Sequence, residues 1–203
     1  MAAIYLASRS PRRRELLAQI GVRFEMLLFR EGSREDAETA EDAYPGERPD
    51  EYVRRVTRLK VDAAWQRVVL RKGLRRMPVL AADTTVAAAE QMLAKPADAA
   101  DAARMLRLLS GSRHRVLTAV AVALDGRVGM RVSESLVYFR RLEEEQIEAY
   151  VASGEPFAKA GAYGIQGRAG AFIRRLEGSD TGVMGLPLCE TARLLRQFGL
   201  TVP

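Results

Sequence analysis

Short apolar runs alternate along this chain with longer stretches whose apolar residues recur at helical spacing, the pattern of an α/β sheet. Ala2 to Ala7 form the first apolar run and predict a buried strand. Ser10 and Pro11 then suit a helix start, Leu16, Leu17 and Ile20 share one face, and Gly21 marks the end. A second helix is predicted from about Asp50 to Val68, with Tyr52, Val53, Val56, Ala63 and Ala64 on one face. Lys60 follows Val56 by four residues and Val53 by seven, so it lies along that inward face. A lysine there needs an anionic partner or a cleft. "PVLAADTTV" (78–86) reads as a buried strand whose apolar part ends at Asp83.

The second half continues the alternation. Asp98 to Leu109 predicts a helix with Met105, Leu106 and Leu109 inward. Arg115 to Leu124 and Val128 to Phe139 predict two strands joined by a hairpin turn at Asp125-Gly126. A helix over Leu142 to Ala152, a glycine-dense loop from Lys159 to Gly170 and a strand over Ala171 to Leu176 follow. "GLPLCETARLLRQFG" supplies a last helix with Leu188, Leu195 and Phe198 inward. Residues 31–51 are rich in acid, carry Pro45, Gly46 and Pro49, and show no periodicity, which predicts a long loop. The sum is a mixed α/β fold, a twisted central sheet flanked by helices.

Composition narrows the chemistry. With 203 residues and 48% apolar content the chain can bury a core as one domain over 1–203, or as two lobes sharing a cleft. The first apolar run breaks at Arg9, too short for a membrane span or a signal-peptide core, so a cytoplasmic protein is expected. One cysteine, Cys189, excludes an internal disulfide and a cysteine-based zinc cluster. One histidine, His114, argues against a serine–histidine triad and reads as a strand-edge residue, while Cys189 reads as packing at a helix start. Catalysis would therefore fall to carboxylates, lysines and arginines, and any divalent ion would be a hard one such as magnesium or manganese. The net charge of +6 favours an anionic partner, a nucleotide or a nucleic acid. No recognisable nucleic-acid module is present and aromatics make up only 6% of the chain.

Several residues suit phosphate chemistry. Ser8, Ser10, Arg12 and Arg13 sit where a strand passes into a helix, and free backbone N–H groups there attract anions. Arginine in a first helical turn opposes the helix dipole, so the placement calls for an external anion or a nearby acid. The alternative is a solvated basic turn. Asp83 could bind a metal ion or take a proton from water attacking phosphorus; it could also simply cap the following turn through Thr85. Lys60, Lys95 and Lys159 occupy special points, on a helix face, before Pro96 and at the head of the glycine-rich loop. Converging on one acid they would suit a polyphosphate leaving group; singly each is an ordinary salt-bridge residue. In "GAYGIQG" the Gln166 amide could read a base edge, or the glycines could serve turn geometry alone.

The strings "LASRSPRRRELL", "YVRRVTRLKV", "VLAADTTV", "KPADAADAARMLRLLSGSRHRVLTAVAV" and "YVASGEPFAKAGAYGIQGRAG…GLPLCET" occur in an order that resembles the Maf family of nucleoside triphosphate pyrophosphatases, over nearly the whole chain. The resemblance implies an α/β fold with a central cleft between two lobes, a divalent metal, homodimers, and hydrolysis between the α and β phosphates. It implies Asp83 as proton acceptor and metal ligand, and Arg13, Lys60, Lys95 and Lys159 as phosphate-site cations. Arg12, Thr84 and Gln166 match positions associated with the choice of base. "KAGAYGIQG" resembles the branch acting on dTTP and UTP rather than the one resembling 7-methyl-GTP pyrophosphatases. Arg9 between the serines and Ala94 before Lys95 depart from the usual pattern, and the family's further metal-site acid could be Glu35, Glu38 or Glu41. A nucleic-acid-binding or division-regulating protein remains the reading from another class.

Overall fold

The first apolar run folds as β1 (Ala3–Leu6), with Ile4, Tyr5 and Leu6 buried. The structure is a computed structural model that describes residues 3–27, 42–89 and 91–202. α1 (Pro11–Gln19) carries Pro11 at its start and buries Leu16 and Leu17. Ser10 holds the capping position, but its side chain makes no capping bond; its N–H donates to Ser8 Oγ at 3.2 Å. Gly21, at φ +70°, turns the chain into β2 (Arg23–Met26), which pairs parallel with β1 from Ala3↔Arg23 to Leu6↔Met26. This strand escapes the hydrophobic pattern because two of its four residues are charged and exposed.

α2 (Pro49–Leu70) buries Val53, Val56, Val61, Ala64, Trp65 and Val68 along one stripe, while Tyr52 and Ala63, expected on that face, are half-buried. Asp50 and Glu51 in its first turn suit the positive end of the dipole. The apolar part of β3 (Val79–Ala88) does not stop at Asp83. The strand runs five residues further and pairs antiparallel with β4 (Gln91–Leu93), because Thr85, Val86, Ala87 and Ala88 extend the buried run. α3 (Ala99–Leu109) buries Met105, Leu106 and Leu109 as predicted. β5 (Arg113–Leu124) and β6 (Arg127–Phe139) join through Asp125 and Gly126, whose φ values of +47° and +78° are those a two-residue hairpin turn requires.

α4 (Glu144–Ala152), β7 (Ile173–Glu177), the short α5 (Asp180–Met184) and α6 (Leu188–Gln197) complete the chain. The expected strand over 171–176 starts later, because Arg168–Phe172 coil as a tight helical turn first. In α6, Leu194 and Leu195 are buried, whereas Leu188 and, just past the helix, Phe198 are half-buried and Cys189 is exposed rather than packed. The sheet is mixed, in the order β2-β1-β3-β5-β6-β7 with β4 on β3. Among the described residues no helix is long and apolar enough to cross a membrane.

The chain divides into two compact units. The first holds Met1–Asp83, Thr118–Ser133 and Gly185–Pro203, around a core that includes Tyr5, Val61, Ala64, Val79 and Ala121. The second holds Thr84–Leu117 and Glu134–Met184, around Leu106, Val116, Phe139, Ile147 and Phe172.

His114 is the second residue of β5, and it is buried in the second unit rather than lying at an exposed strand edge. Its Nε2 lies 2.8 Å from Tyr163 Oη, and its ring meets Phe139 edge-on at 5.1 Å. Burial pushes its pKa from the usual 6.5 down to about 4, so the folded protein keeps it neutral. As pH falls below 6.5 the unfolded chain takes up a proton that the folded chain refuses until about pH 4. Stability is therefore complete above 6.5 and declines through that window, by at most about 3 kcal/mol. Denaturant unfolding of wild type and His114→Gln should show the gap between them changing between pH 6.5 and 4 and flat above 7. Carboxylate titration is common to both proteins and cancels.

Candidate active site

β1 and β3 pair in parallel only as far as Leu6↔Leu80, with Ala7 N–H donating to the Leu80 carbonyl at 2.8 Å. Beyond that point the chain leaves the sheet through residues 7–10 into α1, and Asp83 stands three residues further along β3. In parallel sheets the carboxyl ends of strands, where loops diverge, are where ligands bind. The first unit thus carries Ser8, Ser10, Arg12, Arg13, Lys60 and Asp83.

Two pairings organise them. Lys60 reaches from the buried stripe of α2 and donates to Asp83 Oδ1 at 2.7 Å, with 17% and 10% of the two side chains exposed. The inward lysine therefore has the anion its spacing called for. Arg13 donates through Nε to the Gly185 carbonyl at 2.8 Å and through Nη1 to the buried Ser8 hydroxyl at 3.1 Å. Gly185 opens the string "GLPLCET", but nothing in that string signals its carbonyl as a partner, since backbone acceptors have no residue-type signature. Arg12 is half-buried, and burial lowers its pKa, partly opposed by Glu15. Arg14 is exposed, so only the first two arginines of the run turn toward the protein.

Asp83 Oδ2 is buried and accepts no hydrogen bond among the described residues. A carboxylate oxygen left so costs free energy, on the order of 1–3 kcal/mol or more, so it calls for a ligand or a chemical role. A carboxylate oxygen of this kind fits a hard divalent cation such as magnesium or manganese. Among the described residues no group of three or more His, Cys, Asp or Glu is placed to hold a metal. The candidate acids Glu35, Glu38 and Glu41 lie outside the described residues.

The second unit carries Thr84, Lys95, Lys159 and Gln166. Thr84 is half-buried in β3, and Lys95 is exposed just after β4. Gly161, at φ +70°, donates its N–H to the Ala94 carbonyl at 3.1 Å, which ties the segment of Lys95 to that of Lys159. A Cβ on Gly161 would press on the Val86 side chain at 3.0 Å. Gln166 is exposed at the centre of a turn closed by Gly167 N–H on the Gly164 carbonyl at 3.1 Å.

A family model described as Maf-like protein matches residues 3–198. The chain is 58% identical over 197 residues to a dTTP/UTP pyrophosphatase of Cupriavidus metallidurans, covering 97% of each chain. It is 55% identical over 196 residues to one of Dechloromonas aromatica, again covering 97% of each. It is 50% identical over 199 residues to one of Nitrosomonas europaea, covering 98% of this chain and 96% of that one. The loop of Ser8 to Arg13, the Lys60–Asp83 pair and the glycine-rich turn all fall inside the matched span, and the chain belongs to the Maf family.

Proposed function

We propose that this chain is a nucleoside triphosphate pyrophosphatase that converts dTTP and UTP to the nucleoside monophosphate and pyrophosphate. The observation that carries the mechanism is Asp83, with one oxygen on the Lys60 ammonium and the other buried without a hydrogen bond among the described residues. The choice of dTTP and UTP is supported by relatives of that name at 50–58% identity.

In this reading a water molecule attacks the α-phosphorus and gives its proton to Asp83 Oδ2, the oxygen that Lys60 leaves open. A P–O bond forms to water, the bond from the α-phosphorus to the bridging oxygen breaks, and pyrophosphate leaves with its electrons. Lys60 holds Asp83 in place by its bond to Oδ1 and keeps positive charge beside the reaction. Arg13, held on Ser8 and Gly185, presents a fixed guanidinium to the phosphates, with the hydroxyls of Ser8 and Ser10. Lys95 and Lys159 are further phosphate cations, and Arg12, Thr84 and Gln166 discriminate the base. A magnesium or manganese ion, when bound, would be held by Asp83 and phosphate oxygens and would neutralise charge on the phosphates. A homodimer, on the family resemblance, and a cytoplasmic setting complete the proposal.

The test is pyrophosphate release from a panel of nucleoside triphosphates, with magnesium or manganese and with chelator. Metal-dependent release from dTTP and UTP is the expected result. Release confined to 7-methyl-GTP would keep the reaction and overturn the base assignment. Silence across the panel, with salt-sensitive DNA binding, would replace the enzyme by a nucleic-acid-binding protein.

A further inference from the structure

Lys159 and Gln166 lie on a loop with little regular structure, yet one side chain that no motif assigned reaches several points of it. Glu155 Oε1 accepts the Tyr150 hydroxyl at 3.0 Å, and that same hydroxyl accepts the Gly164 N–H at 3.4 Å. Glu155 Oε2 accepts the Arg168 N–H at 3.0 Å. The Glu155 carbonyl accepts the Lys159 ammonium, whose stem lies so close over Gly164 that a Cβ there would sit 2.8 Å from Lys159 Cε.

Gly167 shows that the protein has made room for this carboxylate. Its φ of −103° is open to any residue, so backbone conformation does not require a glycine. A Cβ there would lie 2.1 Å from Glu155 Oε1 and 2.5 Å from its carboxyl carbon. The carboxylate fills the space where a side chain would stand. Gly164 and Gly167 are the two ends of the turn that presents Gln166, so Glu155 holds one end through Tyr150 and packs against the other. The loop also contains Ala158 at φ +64° and Ala162 at φ +59°, left-handed conformations that alanine adopts at a cost. Such strain persists only where the surroundings over-determine it.

We propose that Glu155 is a positioning residue: its carboxylate and carbonyl fix the loop that carries Lys159 and Gln166, and so set which base the enzyme accepts. The inference rests on the proposed reading of Gln166 as a base contact. Two variants disturb the brace from opposite sides. Glu155→Gln keeps the size of the side chain but offers one acceptor to two donors, and Gly167→Ala displaces the carboxylate with a backbone-permitted methyl group.

The experiment measures kcat and KM of wild type and both variants with dTTP and with dCTP. The expected result is a KM for dTTP raised about tenfold with a smaller change in kcat, and a kcat/KM preference for dTTP over dCTP reduced about tenfold. The ratio is the decisive readout, because partial loss of folded protein scales both activities equally. Should one variant fail to fold, the ratio in the other decides. A selective wild type whose preference and KM survive in the variants would overturn the role of Glu155 and leave the pyrophosphatase intact. A wild type that releases no pyrophosphate, or shows no preference among bases, would overturn the functional reading beneath it.

Discussion

Asp83→Asn is expected to lower kcat for dTTP by about 10²–10⁴-fold while the protein stays folded. The carboxamide has the shape of the carboxylate, and its oxygen can still accept from Lys60, which now donates to Asp83 Oδ1 at 2.7 Å. What it lacks is an oxygen able to take a proton where Oδ2 lies buried without a hydrogen bond among the described residues. The Lys60 ammonium loses its counter-charge, which should cost about 2 kcal/mol of stability. Far-UV circular dichroism and a thermal melt establish the fold, and pyrophosphate release establishes the rate. Turnover near the wild-type level in a folded Asp83→Asn protein would exclude Asp83 as the base.

Lys60→Met is the second large effect, and stability registers it as strongly as rate. The pair is only 17% and 10% exposed, so solvent screens it poorly. Replacing both ions by apolar groups can be nearly neutral, but removing one leaves the other buried and uncompensated, at about 3–5 kcal/mol. Methionine keeps the apolar stem that α2 packs and deletes only the charge. Denaturant unfolding should therefore show Lys60→Met destabilised by that amount, with Asp83→Asn added to it restoring part of the loss. A Lys60→Met protein within about 1 kcal/mol of wild type, inside the ordinary range for surface ion pairs, would mean that the two charges are not coupled in solution.

The same residues show what the sequence makes legible. The stripe of Val53, Val56, Val61 and Ala64 is a helical period, and Lys60 is conspicuous because it stands along it. That one mismatch calls for an anionic partner or a cleft, and Asp83 supplies the anion. β2 was not legible, because an edge strand of four residues with two charges carries no apolar signature. The apolar pattern places Asp83 where the strand's apolar part stops; the register shows a carboxylate inside a ten-residue strand, beyond where β1 departs. Pairing of distant backbone decides that, and no local pattern encodes it.

Tertiary partners were the least legible part of the site. The glycines at 164 and 167 announce a tight loop, but that one makes room for the Lys159 stem and the other for the Glu155 carboxylate depends on how those side chains fold back over the turn, which the motif's wording does not encode. Likewise Arg13 was visible as a basic residue near a helix start, whereas its bond to the Gly185 carbonyl spans 172 residues of chain. His114 reads as a strand-edge residue and Cys189 as packing at a helix start, and the structure differs on both. The first is enclosed by Phe139 and Tyr163, and the second faces solvent on α6.

In the proposed reaction water attacks the α-phosphorus. Hydrolysis of dTTP in ¹⁸O-enriched water, with both products analysed by mass spectrometry, tests it most directly. One ¹⁸O in the dTMP phosphate and none in pyrophosphate is the predicted result. Label in the pyrophosphate, or dTDP and labelled phosphate as products, would place the attack on another phosphorus and contradict the role given to Asp83.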